Sequence, residues 1–124
     1  RQIDHPHIMK LYSTFEDQHN VFMICELCTG GQLFDAIIEE GSICERTAAL
    51  MMKQMLASVC YLHQHSICHR DLKPENFMLA TKDPLHEAHV KLIDFGTAKR
   101  FDLEAMTTKV CTVHYVAPEL LKNQ

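Results

Sequence analysis

Apolar residues along the chain fall into several short runs and one long stripe. Residues 8–15 and Val21-Phe22-Met23-Ile24-Cys25 are β-prone and are separated by the polar stretch Glu16-Asp17-Gln18-His19-Asn20, which predicts an antiparallel hairpin. After the break at Thr29-Gly30-Gly31, residues 32–39 predict a short helix with Leu33 and Ile37 on one side, stopped at Gly41. From about Glu45 to His65, the positions Ala48, Met51, Met52, Met55, Leu56, Val59 and Leu62 recur at three- and four-residue steps, the stripe of a buried helix. Ser42 with Glu45 fits a capping box for its start, and Cys44 fits equally as the first flanking residue. Two later apolar pieces, Phe77-Met78-Leu79 and Val90-Lys91-Leu92-Ile93, are joined by polar residues with a turn signal at Asp83-Pro84 and predict a second hairpin.

Composition adds limits. A chain of 124 residues with 47% hydrophobic content can bury a core. Its net charge of -4, from 16 acidic and 12 basic residues, lacks the electrostatic footprint of a nucleic-acid binder. No apolar stretch approaches the roughly 20 residues of a membrane span, and no signal-peptide pattern opens the chain. Arg1 and the helix-like residues 120–124 read as cut ends, so an internal piece of a longer domain is expected. The cysteines Cys25, Cys28, Cys44, Cys60, Cys68 and Cys111 mostly sit in apolar runs, where the reduced thiol behaves as a small hydrophobe; an intracellular, cytoplasmic setting is expected. Cys25-Glu26-Leu27-Cys28 has zinc-ligand spacing, and Cys60, His63, His65, Cys68 and His69 cluster later, but no second CxxC follows the first. Buried thiols and surface imidazoles are the expectation.

The chemistry lies beside the short strands. His69-Arg70-Asp71-Leu72-Lys73-Pro74-Glu75-Asn76 separates the long helix from the Phe77 strand. A solvated loop would impose no order on these residues, whereas their order suits phosphoryl transfer. Asp71 supplies a carboxylate to accept a hydroxyl proton, Lys73 a cation for the transferring phosphate, and Asn76 an amide oxygen for magnesium, while Pro74 stiffens the turn. Asp94-Phe95-Gly96 follows a strand that reads as buried, so an unpaired charge there would be costly and a magnesium ion would compensate it. Gly96 is expected to make the sharp turn and Phe95 to pack into the core. Ala117-Pro118-Glu119 comes third. The second and third motifs are weak alone; all three in this order are a strong signal.

The sequence resembles the middle of a eukaryotic serine/threonine protein kinase domain over essentially its whole length. Lys73 favours serine/threonine over tyrosine specificity, and Glu26-Leu27-Cys28-Thr29-Gly30-Gly31-Gln32-Leu33-Phe34-Asp35 with Ile67-Cys68-His69-Arg70-Asp71 is similar to the calcium-dependent and calmodulin-dependent kinase group. The resemblance implies a truncated α+β, protein-kinase-like fold: residues 1–25 end a β-rich N-lobe, 26–32 form the hinge, and 33–124 begin a mainly helical C-lobe through the activation segment. It implies ATP and Mg2+ as cofactors and protein serines or threonines as substrates. By it, Asp71, Lys73 and Asn76 are catalytic, and Asn76 and Asp94 hold magnesium. Cys25 stands beside the adenine, Glu26 and Cys28 bond its edge through the backbone, Met78 forms its floor, and Gln32, Glu75 and Asn76 lie near the sugar and phosphates. Leu11, His69 and Phe95 match packed regulatory positions.

The resemblance also implies that Arg70 pairs with a phosphate at Thr108 on the activation segment. Thr112 lies in the substrate-docking loop, where Cys111-Thr112-Val113 replaces the usual Gly-Thr-Pro and puts substrate preference in question. Gln32 replaces a common Glu, which should weaken selectivity for basic substrates. The glycine-rich loop and the strand lysine of such kinases do not occur in these residues, so the alternative is a non-catalytic pseudokinase or truncated scaffold module. No Asp-rich twelve-residue calcium loop occurs either, which assigns any calcium-sensing module to another part of the parent chain.

Overall fold

The computed structural model of the chain describes residues 3–101 and 112–118. β1 (Leu11–Glu16) and β2 (Val21–Cys25) form the first hairpin, with a register irregularity between Leu11 and Ser13. Asp17 closes its turn, because the carboxylate accepts the amides of His19 and Asn20 at 2.7 and 2.8 Å. α1 (Leu33–Glu40) buries Leu33 and ends at Gly41, whose φ of 71° lets its amide reach the Ile37 and Ile38 carbonyls. α2 spans Glu45–Gln64.

Short elements follow: β3 (Ile67–Cys68), a 3-10 turn at Pro74–Asn76, β4 (Phe77–Leu79), β5 (Val90–Leu92) and β6 (Lys99–Arg100). β4 pairs with β5 as expected, while β3 pairs with β6, and both pairs are antiparallel. Two non-strand segments widen the β4–β5 pair. On the β5 side Met9 donates to the Leu92 carbonyl at 3.0 Å and Leu92 to that of His7 at 2.9 Å. On the β4 side Gly30 donates to Leu79 at 3.0 Å and Leu79 to Gly31 at 2.9 Å. Gly30 must be glycine for this, since a Cβ there would collide with the Thr81 carbonyl and the Leu79 side chain.

Both helices pack on this sheet around Ile8, Leu33, Met51, Leu62, Phe77, Leu79, Ala88, Val90 and Leu92. The mixed α+β arrangement read from the sequence is the one found. Of the two starts open for α2, the structure takes Cys44 as the flanking residue, and Ser42 lies outside the helix. The buried line of α2 is Thr47, Met51, Ser58 and Leu62, whereas Ala48, Met52 and Leu56 are exposed. Small polar groups are tolerated on that line because they are satisfied: Ser58 donates to the Met55 carbonyl at 2.6 Å. Gln54 likewise donates to the Ala88 carbonyl and accepts from the Val90 amide, both at 2.9 Å. Cys25, Cys28, Cys44, Cys60 and Cys68 are free thiols, but Cys44 and Cys60 are exposed rather than buried.

Candidate active site

The loop between α2 and β4 is held by unusual backbone. Ser66 and Arg70 adopt φ values of 57° and 69°, a left-handed region that costs a non-glycine residue about 1–2 kcal/mol. Pro74 then opens the 3-10 turn that carries Asn76 into the interior. These bends bring Asp71, Lys73, Asn76 and Thr112 together. Lys73 Nζ lies 2.9 Å from Asp71 Oδ2, and Asn76 Nδ2 donates to the Asp71 carbonyl at 2.8 Å and to Oδ2 at 3.0 Å. Thr112 accepts from Lys73 Nζ at 3.0 Å and donates to Asp71 Oδ1.

Electrostatics follow from that ring of contacts. The bond from the Thr112 hydroxyl, then that from Lys73, holds the Asp71 carboxyl below its ordinary value, so it is ionised at neutral pH. Asp71 in turn raises the Lys73 ammonium, with Glu75 and Asp94 adding to its negative surroundings. Met78, on β4, is bridged to Gln32 beside α1.

Asp94 differs from its expectation. It is exposed rather than buried, so burial does not make its charge costly, and the sharp bend falls on Asp94 itself at φ 57° rather than on Gly96. Gly96 serves instead by close approach: its amide meets Asp94 Oδ1 at 3.1 Å, and a Cβ there would stand 3.2 Å from that oxygen. The two acidic loops are laced together. Ile93 donates to the Asn76 carbonyl at 2.9 Å, and His69 Nε2 lies 3.0 Å from the Ile93 carbonyl. Arg70 Nε donates to the Thr97 carbonyl at 2.5 Å, and the Thr97 hydroxyl donates to the His69 carbonyl at 2.9 Å. Neither Thr97 nor its partner carbonyl is marked by any sequence pattern, being 28 residues apart.

The donor set suits a hard divalent cation. The Asn76 amide nitrogen is committed to Asp71, which turns the amide oxygen away as an oxygen donor, and Asp94 offers an exposed carboxylate. Among the described residues no cluster of His, Cys, Asp and Glu has metal-binding geometry of its own, so the zinc spacing at Cys25 and Cys28 acquires no support.

The remaining nucleotide candidates lie apart, from the end of β2 to the turn before α1 and on the 3-10 turn and β4. Glu26 points back toward β5, with its carboxylate 2.7 Å from Lys91 Nζ and accepting the Lys10 amide at 3.2 Å. Burial opposes its ionisation, but the Lys91 and Lys10 contacts outweigh it and lower the carboxyl. Burial, then the Glu26 charge, raises the Cys28 thiol. A cavity of about 870 Å³ opens between the first hairpin and residues 94–100. Cys25 and Asp94 line it, whereas Glu26, Cys28, Gln32, Glu75 and Met78 do not, so the predicted nucleotide contacts are not gathered in that cavity. Phe95 lines it and packs edge-on against buried His69 at 5.1 Å, while Leu11 at its rim is 39% exposed. Among the described residues, one buried guanidinium nitrogen of Arg70 and one buried carboxylate oxygen of Glu75 have no hydrogen-bond partner. Thr108, Cys111 and Glu119 lie outside the described residues.

Comparison with known proteins places this geometry in context. The family described as Protein kinase domain matches residues 1–124. The chain is 48% identical over 123 residues to calcium-dependent protein kinase 3 of Plasmodium yoelii yoelii, covering 98% of this chain and 22% of that protein. It is 45% identical over 123 residues to human calcium/calmodulin-dependent protein kinase type IV, covering 98% of this chain and 26% of that protein. Against calcium/calmodulin-dependent protein kinase type 1 of Macrobrachium nipponense it is 43% identical over 124 residues, covering 100% of this chain and 35% of that protein. The chain therefore spans between about a fifth and a third of the length of these relatives.

Proposed function

The chain belongs to the protein kinase domain family, and from that premise we propose that its parent protein transfers the γ-phosphate of ATP to serine or threonine hydroxyls of proteins. The observation that carries this reading is the closed cluster of Asp71, Lys73, Asn76 and Thr112, with the loop that carries Asp94 laced against it through Ile93. Asp71, already ionised, orients the acceptor hydroxyl and takes its proton as the new oxygen–phosphorus bond forms and the bond to the departing ADP oxygen breaks. Lys73 lies beside that carboxylate, where its charge holds the transferring phosphoryl group. Asn76 and Asp94 would hold magnesium, which would supply the positive charge that offsets the phosphates. Cys25, Glu26, Cys28, Gln32, Glu75 and Met78 line the nucleotide site in this reading, which also requires residues outside these 124.

Regulation belongs to the same proposal. The Arg70 guanidinium nitrogen that has no partner among the described residues is suited to a phosphate on Thr108, and the names of the calcium-dependent relatives support a calcium-sensing module elsewhere in the parent chain. The free thiols support an intracellular setting. The test is nucleotide binding by the full-length protein. Magnesium-dependent ATP binding that is lost on Asp94→Asn is expected; binding that ignores both magnesium and the substitution would favour a non-catalytic module.

A further inference from the structure

Among the described residues, Asp94 is held within its own turn. Its side chain is exposed, it accepts the Gly96 amide two residues on, and its backbone holds the left-handed φ of 57°. The direction of the carboxylate therefore depends on how the chain is anchored on either side. Before Asp94, Ile93 is tied on both faces of its peptide, to the Asn76 carbonyl and to His69 Nε2. After it, the Phe95 ring packs edge-on against His69 at 5.1 Å, and the first hydrogen bonds to the other loop among the described residues are at Thr97, whose hydroxyl donates to the His69 carbonyl at 2.9 Å and whose carbonyl accepts from Arg70 Nε at 2.5 Å. Residues 69 and 70 immediately precede Asp71, so a single threonine grips the backbone that leads into the second carboxylate.

We propose that Thr97 is a positioning residue for Asp94: its hydroxyl clips the segment leaving Asp94 to the segment entering Asp71 and so fixes the two carboxylates relative to each other. The inference rests on the kinase reading for its functional consequence, but the clip is a property of the fold. Without the hydroxyl bond the segment up to Thr97 keeps, among the described residues, only the Phe95–His69 ring contact and the Arg70 bond to the Thr97 carbonyl, so Asp94 has more freedom to pivot about Ile93 and its left-handed backbone to relax. The hydroxyl must act as donor, since its partner is a carbonyl. Valine keeps the shape and loses the donor, whereas serine keeps the donor.

The test compares Thr97→Val with Thr97→Ser in the full-length protein by two readouts. In nucleotide-free protein, exchange of the Ala98 amide, which bonds the Phe95 carbonyl at 3.0 Å, should quicken roughly three- to tenfold with valine and stay near wild type with serine. In calorimetric titrations with Mg2+ and a non-hydrolysable ATP analogue, valine should raise the magnesium concentration needed for half-maximal binding by a similar factor, and serine should restore it. Equal exchange and equal magnesium requirement in both variants would overturn the proposal, as would a serine variant as defective as the valine one. If the wild type bound no nucleotide, the kinase reading would fall, and the exchange comparison would still decide whether Thr97 anchors this segment.

Discussion

The first hairpin and the β4–β5 sheet have similar apolar sequences and opposite fates. Val21 and Met23 of β2 are 68% and 67% exposed, whereas Val90 and Leu92 of β5 are 0% exposed. The sheet is covered by α1 and α2, widened on both edges by backbone, and joined to the Asp71 cluster by the bonds at Asn76 and His69. The hairpin has one partner strand and a turn closed by Asp17. A two-stranded ribbon is marginal without further packing. The part of the chain bearing the candidate chemistry is thus the part that is internally supported, while the part leading to the hinge has apolar area still to bury.

That contrast can be broken by substitution. The largest stability effect is expected for Leu92→Ala, about 2–5 kcal/mol by denaturant unfolding, because it empties a site with no exposure. Gly30→Ala should follow at about 1–3 kcal/mol, since the new methyl meets backbone and the edge pairing with Leu79 must shift. Met23→Ala should cost no more than about 0.5 kcal/mol in the 124-residue chain. A much larger cost in the full-length protein would show that other residues cover the hairpin there, and would sharpen the comparison.

A smaller effect separates the cluster from the hairpin by pH. A carboxyl lowered by folding stabilises the fold above its unfolded value and loses that contribution as pH falls through the lowered one. Asp71 is lowered from 3.8, so the part of the acid transition due to it lies below that pH. Lys73 is raised from 10.5, so its contribution is whole below that pH and fades as pH rises through the raised value. Thr112→Val removes the main cause of the Asp71 shift and should move its titration upward toward 3.8, as read by carboxyl NMR. An unchanged titration would show that Thr112 does not hold the carboxylate.

Much of this was legible in the sequence where periodicity and turn chemistry act locally. Both hairpins and both helices stand close to their expected bounds, and Gly41 stops α1 as expected. The rest depended on contacts between distant residues. The β3–β6 pair is two residues long in each strand and too short to leave a pattern. The apolar arc of α2 was visible, but which side the sheet would cover was not, and Gln54 and Ser58 are buried or half-buried through bonds that spacing does not encode. At the site, the order of Asp71, Lys73 and Asn76 was readable, and their proximity is observed. The left-handed backbone at Asp94 was missed because glycine two residues on looked like the natural pivot.

The central claim is that the Asp71 cluster performs phosphoryl transfer rather than merely bracing a loop. Single-turnover transfer from ATP to a serine or threonine peptide by the full-length protein, compared with Asp71→Asn, tests it most directly. The expected result is a fall in rate of about 10²–10⁴ with magnesium-dependent ATP binding retained. An Asp71→Asn protein that transfers phosphate at the wild-type rate would contradict it.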